Sequence, residues 1–82
     1  MSERFFAVPG YNQLALDKVN EFFSGKETVG LTEIVLFLFK ERVPSPYLTI
    51  EEKHVEQFAK AGYKIYGIRG GVVSTKEYLA CE

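Results

Sequence analysis

"IVLFLF", residues 34–39, puts six apolar side chains in a row near the middle of an 82-residue chain. A run of that length is unfavourable in water in either regular conformation, so the chain has to fold around it. Read as a helix, Leu31, Ile34, Val35, Leu38 and Phe39 lie along one stripe, and Leu36 and Phe37 widen it. Read as a strand, "EIVLFLFK" is a continuous apolar segment of the kind buried on both faces of a sheet. The Leu31-Thr32-Glu33 opening and the length of the segment favour the helix. Pro44 and Pro46 end it and impose an extended link over about 42–48, since proline fixes its own φ and steers the residue before it out of the helical region.

Around this run the chain has enough apolar mass for one core. Seven Phe and five Tyr within 46% hydrophobic residues exclude a disordered chain, and the length corresponds to one small globular domain, 1–82. A single cysteine, Cys81, excludes an internal disulfide framework and a cysteine-based zinc site, and fits a reducing compartment. No apolar stretch reaches the roughly 18 residues of a membrane span. The opening "MSERFFAVPG" lacks a signal-peptide core, because only four apolar residues precede Pro9. A cytoplasmic protein is the expectation.

Local signals mark the other elements. "RFFAV" is β-prone and ends at the turn pair Pro9-Gly10. Asn12 has the side chain of a helix N-cap, and Tyr11 and Leu16 have the spacing of a hydrophobic staple. Ala15, Val19, Phe22 and Phe23 then form one apolar face, and Ser24-Gly25 supplies a stop, so a helix is expected over about 12–24. In "TIEEKHVEQFAKAG", Thr49 and Glu52 have capping-box spacing, Val55, Phe58, Ala59 and Gly62 make a buried face, and Gly62 ends a third helix. Next, "YKIYGI" and "VVST" flank Gly70-Gly71, the pattern of a tight β-hairpin. Ser74 and Glu77 repeat the capping-box spacing, which predicts a short final helix in "TKEYLACE".

The inventory for catalysis is thin. There is one His, one Asp and one Cys. His54 is expected in mid-helix beside acidic neighbours, at the boundary between core and solvent, and Cys81 is next to the last residue, a poor place to hold a nucleophile rigidly. The glutamates fall on helix ends and polar faces, with no spacing that sets up an acid–base pair. "IRGGVV" lacks the phosphate-loop pattern. The expectation is a protein that is not an enzyme, with no cofactor, no metal and no small-molecule substrate.

Charge is unevenly placed. Residues 1–59 carry six basic and nine acidic side chains, whereas 60–76 carry Lys60, Lys64, Arg69 and Lys76 and no acid. Such a basic hairpin suits phosphate contacts through counterion release. Lysines on an exposed strand equally protect a sheet edge from aggregation.

Helix, helix, helix and then a hairpin is the element order of winged helix-turn-helix domains. "FAKAGYKIYGIRGG" resembles the end of the recognition helix and the wing of the biotin-repressor type, over residues 49–79. The resemblance implies DNA binding, with Lys53, Gln57 and Lys60 toward the major groove and Arg69 on the wing. Glu51, Glu52 and Glu56 on the same helix are repelled by phosphate and favour a protein partner instead.

The sequence is therefore read as an α+β domain of three helices followed by a C-terminal hairpin, winged-helix-like. The second reading is an α/β sandwich with 33–40 as a central strand. The expected function is non-enzymatic regulation through a protein partner, as an inhibitor, adaptor or homodimeric regulator. The alternative is a DNA-binding transcriptional regulator using the 50–61 helix and the 64–76 hairpin. Contact candidates are Tyr47, Lys53, Gln57, Lys60, Lys64, Tyr66, Arg69 and Lys76. Tyr47 is set on a stiff proline-flanked loop, and tyrosine is favoured at binding hot spots.

Overall fold

The first segment, Arg4–Val8, forms strand β1, an inner strand of a five-stranded sheet. The computed structural model describes residues 4–78. Phe5, Phe6, Ala7 and Val8 are all buried, the signature of a strand covered on both faces. The other strands are β2 (Thr28–Gly30), β3 (Leu48–Glu51), β4 (Lys64–Arg69) and β5 (Val72–Glu77). Their order is β2-β5-β4-β1-β3, and every neighbouring pair is antiparallel. Alternation along β1 divides the core. Phe6 and Val8 look toward helices α1 (Gln13–Phe23) and α2 (Leu31–Lys40), joined there by Tyr66 and Val73. Phe5 and Ala7 look the other way, onto Ile50, Ile65 and Val55 of the short helix α3 (Val55–Lys60).

This architecture corrects the three-helices-then-hairpin reading. A five-stranded antiparallel sheet runs through the chain from its first described residues, with helices inserted between strands. The second reading fails as well, because 31–40 is helical and the central strand is β4, with β1 between it and edge strand β3. The physical reason is that Phe5–Val8 is short and flanked by Arg4 and Pro9-Gly10, so it can be sandwiched whole, whereas residues 31–40 are long enough for three helical turns.

Two capping-box readings are overturned for one reason. Thr49 lies within β3, where Ile50 pairs with Phe5 and Thr49 with Phe6. The expected helix at 50–61 is therefore strand to Glu51, a single 3₁₀ turn over Glu52–His54, and six residues of α3. Ser74 and Glu77 lie in β5, not at a helix start; the remainder of that expected helix, 79–82, is outside the described residues. In both places β-branched residues find partners in the sheet, and those contacts outweigh a local capping bond.

Other local signals formed as read. The Asn12 side chain accepts from the Ala15 N–H at 3.0 Å and also donates to the Pro44 carbonyl at 3.0 Å, tying the start of α1 to the link after α2. Gly70 and Gly71 have φ of +58° and +77°, as a tight hairpin turn requires. Helix α3 closes with a Schellman motif. Gly62 sits at φ +99°, the Tyr63 N–H reaches the Phe58 carbonyl, and the Tyr63 and Phe58 rings meet edge to face at 5.0 Å. Helix α2 closes the same way, Val43 N–H to Leu38 carbonyl, but the left-handed position is Arg42 at φ +57°. Among the described residues no helix is long and apolar enough to cross a membrane.

Candidate functional site

The eight contact candidates do not gather in one place. Lys53, Gln57 and Lys60 are exposed on the 3₁₀ turn and α3, beside edge strand β3. Lys53 pairs with Glu51 at 3.6 Å and Lys60 with Glu56 at 3.5 Å. Lys64 opens β4 and pairs across the hairpin with Glu77 at 3.5 Å. Arg69 is at the other end of β4, about 17 Å along the strand from Lys64 at the usual rise per residue. Lys76 is exposed on β5. The basic segment is thus not one concentrated patch: among the described residues Lys60 and Lys64 each face a carboxylate.

Tyr66 is corrected as a contact residue, and Tyr47 is partly covered. Tyr66 is only 3% exposed and lies between Phe6 and Phe23, so it is part of the core. Burial, and secondly the charge of Glu77, push its hydroxyl up to about 12. Tyr47 is half-buried and stacks on Phe6 at 4.8 Å and 17°, so the proline-flanked loop turns the ring inward. Both stand opposite a β1 that leaves apolar surface to be covered. His54 is partly buried and edge-on to Phe58. Cys81 lies outside the described residues. No group of three or more His, Cys, Asp or Glu side chains gathers in metal-binding range among the described residues.

Two depressions open on the sheet. One, of about 420 Å³, lies where the α3 face of the sheet continues past its helix, and is lined by Phe5, Gly67, Val72, Ser74, Thr28 and Tyr78. The other, of about 510 Å³, runs between β3 and α3, with Leu48, Ile50, His54, Gln57 and Phe58 along it. Among the described residues neither contains a buried charged or polar side chain, since the buried ones are all hydrophobic.

The surface that sequence reading missed is the outer side of α2. Only Ile34 and Leu38 of the six-residue apolar run are buried. Val35 and Phe37 are half-covered, Phe37 against Phe22 at 4.9 Å. Leu36 is 60% exposed and Phe39 82% exposed, which corrects the placing of Phe39 on the inward stripe. The cause is geometric. At 100° per residue, six successive apolar residues go more than once around a helix, so some must face out. Thr32, Leu36 and Phe39 share that outer side, with Glu33 and Lys40 flanking them. Neither Glu33 nor Lys40 makes an ion pair among the described residues, whereas Lys18 bridges Glu21 and Glu41. The hydrogen bond to Glu41 is the main cause that raises the Lys18 pKa. The signal available in the sequence was the count itself: seven large apolar side chains among Leu31–Phe39 exceed what one helical face can bury.

Comparison with protein-family models, with curated proteins and with solved structures finds no match for this chain.

Proposed function

We propose that this protein is a small non-enzymatic regulatory binding protein that acts through a protein partner docked on the outer side of α2. The observation that carries the reading is the pair Leu36 and Phe39, large apolar side chains one helical turn apart and both mostly in solvent. Single exposed hydrophobics are ordinary, but an adjacent pair on a rigid helix is a ready anchor for a partner, and removing it from water is favourable by about 25 cal/mol per Å². An inhibitor, an adaptor and a homodimeric regulator all use such a face.

The test is photo-crosslinking, with a photoreactive amino acid at position 36 and, as a control, at exposed Lys60. Covalent protein adducts specific to position 36, lost on Phe39→Asp, are expected. In parallel, a labelled mixed-sequence DNA duplex is titrated at low and near-physiological salt with wild type and Arg69→Glu. Absence of adducts at position 36, together with salt-dependent duplex binding that Arg69→Glu abolishes, overturns the protein reading in favour of nucleic acid through the hairpin.

A further inference from the structure

We infer that the partner on α2 is a second copy of this chain, its α2 lying antiparallel against the first across a two-fold axis; this rests on the reading of α2 as the docking face. Thr32, Leu36 and Phe39 are spaced four and three apart, the repeat of a helix–helix seam. Glu33 follows one seam position and Lys40 follows another, so both lie on the same flank of the seam. A two-fold axis perpendicular to the helices turns one copy end for end while keeping that flank on the same side. The two flanks then run beside each other in opposite directions.

The register centred midway between Glu33 and Lys40 satisfies both kinds of contact. Glu33 of each copy stands level with Lys40 of the other, giving two ion pairs about 10 Å apart from seven residues of helical rise. Leu36 faces Leu36 of the second copy, and Phe39 of each falls between Leu36 and Thr32 of the other. The charges are therefore self-complementary, which an unrelated partner would not require. They also place the acidic residue in the first turn of α2 and the basic one in the last, where each suits the helix dipole.

The small area places this contact among weak, transient interfaces. A ten-residue helix covers less than the roughly 800 Å² per partner of a standard interface, so association is weak, on the order of 100 μM, and falls with added salt.

Sedimentation equilibrium of the purified protein, carried to about ten times that dissociation constant, tests the inference. Wild type is expected to be a reversible dimer, and Phe39→Asp a folded monomer by circular dichroism. Glu33→Lys alone and Lys40→Glu alone set like charges together, and each is expected to weaken association about tenfold. The double variant recovers it, and an equimolar mixture of the two single variants forms a heterodimer tighter than either homodimer. A wild type monomeric at the highest concentration, or single variants that associate as wild type does, overturns the inference. That result leaves the docking reading standing if position 36 still crosslinks to another protein, so the two failures are distinguishable.

Discussion

Two apolar runs in this chain meet opposite fates. Phe5–Val8, four residues, disappears entirely into the core, while Ile34–Phe39, six residues, buries two side chains and leaves two largely in water. A strand sends alternate side chains to opposite faces, and here both faces are covered, by α1 and α2 on one and α3 on the other. A helix at the surface has one inward face. The same hydrophobicity therefore becomes stability in β1 and an available surface in α2.

The sharpest way to break the comparison is to shorten one phenylalanine in each run. Phe6→Ala is expected to cost about 3–5 kcal/mol, a large part of the stability of a small domain, because Phe6 is fully buried between Tyr47 and Tyr66. Phe39→Ala is expected to change stability by no more than about 0.5 kcal/mol. Urea titrations of both, compared at constant slope, measure the difference; equal losses would mean that α2 is covered within the monomer.

Next in size is the end of β1. A Cβ on Gly10 would run into the Gly62 carbonyl oxygen, backbone that has little room to move. Gly10→Ala is expected to cost about 1–3 kcal/mol in thermal unfolding. Asn12→Ala removes the cap of α1 and its bond to Pro44 together, for about 1–2 kcal/mol by the same measurement. At the end of α2 the sign reverses. Arg42→Gly relieves a left-handed residue and is expected to stabilise by up to about 1 kcal/mol; a loss would show that the Arg42 side chain holds that end.

The last effect is silent near neutral pH. Tyr66, packed against Phe6, has a hydroxyl raised from 10 to about 12 in the folded state, so the unfolded chain ionises first. Stability from this group is complete below pH 10 and is lost as pH rises toward 12. Melting temperatures across that interval should fall, and Tyr66→Phe should make the fall shallower.

Much of the local punctuation was legible. Asn12 as a cap, Gly25 and Gly62 as helix stops at positive φ, and Gly70-Gly71 as a hairpin turn each depend on neighbours within a few residues. Thr49–Glu52 and Ser74–Glu77 carried equally good local signals and were misread. Ile50 lies against Phe5 and Val73 against Val29, both far away in the chain, and a cap worth about 1 kcal/mol does not outweigh those pairings.

The candidate surface was legible only as an excess. The contact candidates were chosen by charge and by tyrosine, yet Lys60 and Lys64 face carboxylates, and Tyr47 and Tyr66 pack inward. Leu36 and Phe39 were counted as core because periodicity says which residues share a face, not how much of that face a neighbour covers.

The amino-acid order by itself determined where elements begin and end wherever a glycine, proline or capping side chain acts on its own neighbours. It also determined that residues 31–40 carry more apolar surface than a helix can hide. Only the tertiary structure decided that Arg4–Val8 is an inner strand of a sheet, that Leu48–Glu51 is its edge, and that the surplus on α2 points outward. Those outcomes depend on contacts between residues tens of positions apart, and no local free energy encodes them.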